Sequence, residues 1–334
     1  MKLWLASAIA VLTALPYSAV AEVPITTQTS DDAMQAYGYH VGQNLWLERI
    51  SKEFPSLSRR SKLAGLQFDL TFGDSIKEID RQFDKHGTEK WRQLKSELED
   101  QASTFSAQSQ ITHEAADAFI GEVLERAGGN IESPILETLL IYSPKYQKSP
   151  AAEYTDGFRR FHDNDGSGKA KGLAFRLQVP SSWKSSEGNR PNIPVKFISE
   201  NGRGNRKILV LVYNMTLENG DFITKADIAE MLADKDKQSY LPDGALYKAS
   251  GALVLENKPG YWMSYSMTGQ RMSASIDTRA IAYSVFVDGL MIQIQGAVIS
   301  QTGSGVDLEK EFLRYKPVFE QVADSLVLPG LYKR

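Results

Sequence analysis

Residues 273–300 read SASIDTRAIAYSVFVDGLMIQIQGAVIS, and this stretch decides the fold class. Two apolar runs rich in Ile, Val and aromatic residues flank Asp288-Gly289. A two-residue turn of the hairpin type needs positive φ at both central positions, and Asp-Gly accepts that at low cost. Ser273–Val287 and Leu290–Ser300 are therefore expected to be paired antiparallel strands. Reading outward toward the N-terminus, Tyr261–Thr268 and Ala245–Glu256 extend the same meander. Thr224 is placed to cap a helix through about Asp234, with Ile228, Met231 and Leu232 on one side. Lys207–Tyr213 contains Ile-Leu-Val-Leu-Val, the pattern of a strand buried on both faces. Val195–Ser199 and Leu173–Val179 complete the strand-like runs. Gly202-Arg203-Gly204-Asn205 lacks the Lys-Ser/Thr ending of a phosphate loop and precedes a strand, so it reads as a hairpin turn. Asp307 to Leu326 reads as a closing helix.

Upstream of residue 163 the periodicity changes from two to three and four. After a polar tail at 23–30, a helix is expected from Ser30 or Asp31 to about Ile50, carrying Met34, Tyr37, Val41 and Leu45. Residues 58–70 continue with Leu63, Leu66, Phe68 and Leu70 as the apolar positions. Asp74 is placed to cap a further helix toward Gly87, and residues 88–105 form the next. Thr112–Ala127 is amphipathic and stops at Gly128-Gly129. Ser133-Pro134 opens a helix through Ile141, because Pro is accepted at a first helical position. The expected fold class is α+β: an all-α N-terminal domain, 22–162, followed by an antiparallel sheet with covering helices, 173–334. The polar, Gly-rich stretch 163–172 is read as the linker between them.

The C-terminal half resembles the PsbP-like α/β sandwich, the group that includes small exported bacterial proteins of the DcrB type. The residues that carry the resemblance are Phe175-Arg176-Leu177-Gln178-Val179-Pro180 with Trp183-Lys184, and the helix Ile223–Ala229 after the buried strand. The hairpin Val285–Ile292 and the closing helix from Phe312 through Phe319 to Leu326 carry it as well. The resemblance implies a non-catalytic binding or accessory protein, with no shared active-site motif to transfer.

The first residues carry an address. Lys2 precedes an apolar run from Leu3 to Leu15, Pro16 breaks it, and Ala19-Val20-Ala21 offers small residues to a signal peptidase. Residues 1–21 are thus expected to be a signal peptide, cleaved between Ala21 and Glu22. The run is shorter than the roughly 20 apolar residues that span a bilayer, so no membrane-spanning segment is expected. The chain contains no cysteine. Disulfides, thiol catalysis and thiolate metal sites are excluded, and a disulfide-free exported protein of this size fits a bacterial periplasm. Residues 22–168 hold 16 Lys+Arg against 24 Asp+Glu, whereas 169–334 hold 21 against 17. Neither balance is basic enough for nucleic acid as a partner.

Candidate chemistry is sparse. Asp163, Asp165 and Ser167 occupy the first oxygen positions of an EF-hand-like loop, which makes calcium a possible cofactor. Ala174 stands where the bidentate Glu belongs, and otherwise no cofactor is expected. His40, His86, His113 and His162 form no close pair and no H-E-x-x-H frame. There is no G-x-S-x-G elbow. On β-strand periodicity Tyr261, Met263, Tyr265 and Met267 share one face, opposite Trp262, Ser264 and Ser266. Such a Tyr/Met face serves either as a ligand surface or as core beneath a helix. The leading expectation is a non-enzymatic binding or accessory role in the cell envelope, with an unidentified envelope protein or small ligand as partner. The alternatives are a hydrolase using Asp or Glu with His162 in an interdomain cleft, and a calcium-responsive module.

Overall fold

The computed structural model describes Val23 and residues 26–215, 223–271 and 274–332. The expected signal peptide and its cleavage position lie outside the described residues. The chain divides into two compact units between Phe158 and Arg159.

The first unit is helical. α1 (Thr27–Glu53) starts at Thr26, whose hydroxyl accepts from the Thr29 N–H at 3.2 Å while Thr29 returns the bond. The chain is therefore helical three residues before the expected cap at Ser30, within what the sequence suggested as a tail. α2 (Ser58–Gln108) is one hydrogen-bonded element interrupted at Gly87, where φ is 177° and ψ 56°. The chain reverses there. Lys95 Nζ lies 2.6 Å from Asp80 Oδ1, and Trp91 Nε1 donates to the same oxygen at 2.7 Å. In a straight helix fifteen residues would separate such groups by about 22 Å. The break expected near Gly87 is present, but the one expected at Asp74 is not. Asp74 pairs with Lys77 on the surface at 2.9 Å, and the apolar face runs on in phase through Phe72, Ile76 and Ile79.

Ser61, Ala64, Phe68 and Phe72 turn the first arm of α2 toward the core. Leu63, Leu66 and Leu70, expected as apolar contact positions, instead point outward and are 52%, 60% and 88% exposed. α3 (His113–Ala127) is capped by Thr112, whose hydroxyl accepts from Ala115 N–H. α4 (Pro134–Ile141), α5 (Pro144–Lys148) and α6 (Ala151–Thr155) finish the unit.

The second unit opens with a strand that sequence periodicity did not suggest. β1 (Arg159–Asn164) pairs antiparallel with β2 (Phe175–Pro180), from Arg159 opposite Pro180 to Asn164 opposite Phe175. Residues 163–172 are consequently not a linker between domains; they close this hairpin. β3 (Lys184–Ser186), β4 (Val195–Ile198), β5 (Arg206–Asn214), β6 (Ala245–Leu255), β7 (Lys258–Arg271), β8 (Ala274–Val287) and β9 (Leu290–Gln301) form one antiparallel sheet. Its strand order is β3-β4-β5-β9-β8-β7-β6. The single turn α7 (Ser199–Gly202) joins β4 to β5, as the Gly-rich sequence suggests. At the β8–β9 turn Asp288 and Gly289 have φ of 47° and 75°, the pair of positive values that their types permit.

Two helices cover the sheet. α8 (Lys225–Ala233) packs on β6 and β7, and α9 (Leu308–Asp324) on β8 and β9. α9 buries Phe312, Tyr315, Val318, Phe319, Val322 and Ala323. Phe319 lies directly over Gly296, so a Cβ at that position would run into its ring. The observed fold class is thus α+β, a helical region followed by antiparallel strands with covering helices.

Candidate functional site

β7 alternates as its sequence requires. Tyr261, Met263 and Tyr265 are buried on one face and Met267 is half-buried beside them. Ser264, on the other face, accepts from Arg279 Nη1 at 2.8 Å. The Tyr/Met face forms one apolar cluster with Ile228 of α8, Leu241 and Ala280. It is therefore floor beneath a helix. Burial pushes the Tyr261 hydroxyl up to about 12, and it also pushes Tyr265 up. Tyr261 donates to Met291 Sδ at 3.9 Å. Both phenols stay neutral at ordinary pH, so this floor presents no formal charge.

The cover over that floor is thin. α8 has nine residues and buries only Ile228; Met231 and Leu232 are half-buried. Its start is held by a reciprocal cap. Asp227 N–H donates to Thr224 Oγ1 at 3.2 Å, and Thr224 N–H donates to Asp227 Oδ2 at 2.7 Å. The Thr224 hydrogen bonds hold the Asp227 carboxyl below its ordinary value. Beyond the helix, Tyr240 donates to Asp234 Oδ2 at 3.1 Å, and Tyr247 pairs with Ser250 at 2.9 Å. Lys237 Nζ stands 5.6 Å from the Tyr247 ring centroid, close enough for a cation–π contact. Tyr240 and Tyr247, half-buried, pack against the same apolar cluster, with the charged Asp234 and Lys237 beside them.

The other candidates disperse. Asp163 faces Arg176 across the β1–β2 pair, with Arg176 Nε 2.5 Å from its Oδ1. That hydrogen bond holds the Asp163 carboxyl below its ordinary value. Asp165 Oδ1 accepts from Ser167 N–H at 2.8 Å and so closes its own turn. Asp163 is thus held in a cross-strand pair, while Asp165 and Ser167 close a turn. Among the described residues no group of three or more His, Asp or Glu side chains is placed to hold a metal ion. His162 lies edge-on to Phe197, ring centroids 5.2 Å apart, and burial lowers its pKa from the ordinary value. Its Nε2 is buried without a hydrogen-bond partner among the described residues, and its neighbour Asp163 is engaged by Arg176. His40 Nε2 is 3.0 Å from both Asp69 Oδ1 and Asn44 Nδ2, and His113 pairs with Ser56 at 3.1 Å. The side chain of His86 lies outside the described residues.

A charged layer that sequence reading missed lies on the opposite face of the sheet. Arg206 of β5 and Arg279 of β8 both stand in register with Val298 of β9. Arg206 pairs with Glu200 at 2.8 Å and with Glu311 at 2.5 Å, and Arg279 pairs with Glu309 at 2.7 Å. Arg279 also lies 4.1 Å from the Phe312 ring centroid. Burial raises the pKa of Glu311, but Arg206 and Arg314 outweigh it and leave the carboxyl below its ordinary value. These pairs tie the first turn of α9 to the sheet. The only signal in the sequence was the clustering of Glu309 and Glu311 behind Asp307 at a helix start.

No protein-family model matches the chain, and no curated protein matches it. Among solved structures it is similar to PsbP (CyanoP) of Synechocystis sp. PCC 6803, at 15% identity, over 51% of this chain and 92% of that one, with a TM-score of 0.33. It is similar to LpqN of Mycobacterium tuberculosis, a protein involved in cell envelope biogenesis, at 12% identity, over 53% and 95% of the two chains, with a TM-score of 0.33. A protein of Bacteroides thetaiotaomicron VPI-5482 matches at 12% identity, over 48% of this chain and 46% of that one, with a TM-score of 0.28. A PsbP protein is thus among the structures the chain is similar to, and no role passes from those proteins to this chain.

Proposed function

We propose that this is an exported, non-enzymatic binding or accessory protein of the cell envelope that takes an apolar or amphipathic small ligand on the Tyr261–Met263–Tyr265–Met267 face. The observation that carries the reading is the mismatch between floor and cover. β7 buries three large side chains there, whereas the helix above contributes one buried side chain. A cover held by so little apolar contact opens at low cost, because local stability follows local burial. Tyrosine and methionine then supply broad, adaptable contact without charge.

The test is an equilibrium titration with an apolar fluorescent dye, 1-anilinonaphthalene-8-sulfonate, followed by competition with envelope lipid extract and with peptides. Saturable binding to the folded protein, lost in Met267→Arg and kept in a substitution on the helical unit, is the expected result. Displacement by lipid or by peptide identifies the ligand class. Absence of saturable binding, or binding indifferent to Met267→Arg, overturns the reading.

A further inference from the structure

Leu63, Leu66 and Leu70 lie three and four residues apart on the first arm of α2 and are exposed. At about 100° per residue they centre on a line opposite the one followed by Ser61, Ala64, Phe68 and Phe72, which face the core. Single exposed leucines are ordinary, but a run of three on the outward line of one helix is a seam. It lies between two neighbours. On one side Asp69 meets His40 of α1, and on the other Arg60 meets Asp117 of α3.

Charge says what covers it. Arg59, Arg60 and Lys62 precede Leu66 in the sequence, and Asp69 and Asp74 follow it. Cations at a helix start and anions further along oppose the helix dipole; within the chain Arg60, Asp69 and Asp74 pair with Asp117, His40 and Lys77, and these exposed pairs can be shared with a second helix. Turned antiparallel about Leu66 and Gln67, a second α2 would bring its Asp69 toward Lys62 and its Asp74 toward Arg60. A parallel partner would set like charge beside like.

We propose that the outward face of α2 is a two-fold contact between copies of this chain, with Leu63, Leu66 and Leu70 interdigitating and Lys62 meeting Asp69 across the dyad. The seam runs about 10 Å along the helix, two turns. Three leucines over two turns cannot fill the roughly 800 Å² per partner of a stable interface, so the dimer forms at high local concentration and dissociates on dilution. The contact is isologous, as closed two-fold pairs are. It is independent of the ligand face on β7.

Sedimentation velocity on protein recovered from cells expressing the full chain tests this. The expected result is a mass that rises from one chain toward two as concentration rises from micromolar to millimolar. Leu70→Glu, at a position 88% exposed, should abolish the rise and leave the circular dichroism and melting curve unchanged. Lys62→Glu alone and Asp69→Lys alone should each weaken association at least several-fold, and mixing the two variants should restore it, because each then meets the opposite charge twice. A single-chain mass at every concentration, association indifferent to Leu70→Glu, or a mixture no tighter than either variant alone overturns the proposal. If Asp69→Lys does not fold, Leu70→Glu decides alone.

Discussion

The two faces of the seven-stranded sheet are covered in different ways. On one face α9 lays down six buried side chains, sets Phe319 against Gly296 and anchors its first turn through Glu309 and Glu311 to two buried arginines. On the other, α8 rests on a floor of tyrosine and methionine and buries Ile228 alone. The first cover has shape and charge complementarity that fix one position. Among the described residues the second has a capped helix, the buried Leu241 and a few half-buried side chains. The difference separates a permanent core from a cover that can be displaced.

Gly296→Val is the strongest way to break this comparison. The new Cβ must occupy the space of the Phe319 ring, and β9 is a central strand that cannot move aside without disturbing β5 and β8. Overpacking of this kind costs about 3 kcal/mol or more. Chemical denaturation should show that loss, and an α9 face that tolerates the change at under about 1 kcal/mol would be no more tightly fitted than the α8 face.

Which parts of this arrangement were legible beforehand follows from how local each signal is. Asp288-Gly289 announced its turn because the requirement is a backbone one, met by two adjacent residues. The face shared by Tyr261 and Tyr265 was legible for a similar reason, since alternation is intrinsic to a strand. Whether a helix lay over that face was not, because nothing in β7 encodes the placement of Lys225–Ala233. β1 escaped notice because Arg-Arg-Phe-His-Asp-Asn has no apolar alternation; its extended form depends on pairing with β2. Asp74 resembled a cap because Asp often is one, but the core face of α2 continues past it and keeps the helix intact. The leucines at 63, 66 and 70 gave the right period and the wrong side: Phe68 and Phe72 bury more and take the core.

Ile228→Ala probes the weaker cover. Removing a fully enclosed isoleucine costs about 2 to 5 kcal/mol, but here the cost is capped by the free energy that holds α8 in place. Global stability should fall by about 1 kcal/mol or less, while amide exchange across Lys225–Ala233 speeds up far more than exchange in α9. Hydrogen exchange read by mass spectrometry resolves the two helices. Equal acceleration in both would make the sheet and its two helices a single cooperative unit and remove the distinction between core and cover.

The smallest effect is expected from acid, and it sharpens the comparison by acting on the side away from α8. His162 sits on β1 against Phe197, and burial lowers its pKa from the ordinary 6.5. Asp163 pulls in the opposite direction and Arg160 reinforces the shift. The folded chain then binds fewer protons at this site than the unfolded chain does, so stability rises with pH across the interval between the two pKa values. The contribution of His162 is whole above 6.5 and is lost as pH falls from 6.5 toward the lowered value. Glu311 acts later, since its carboxyl lies below 4.5 in the fold and its share fades only as pH drops beneath that. His162→Phe should therefore flatten the stability profile just below 6.5 and leave the steeper loss beneath 4.5 in place. Denaturant midpoints measured across that range provide the check: an unchanged slope in the variant would mean that protonated His162 finds a partner in the fold, and that the hairpin of β1 and β2 yields to charge more readily than its packing against Phe197 implies.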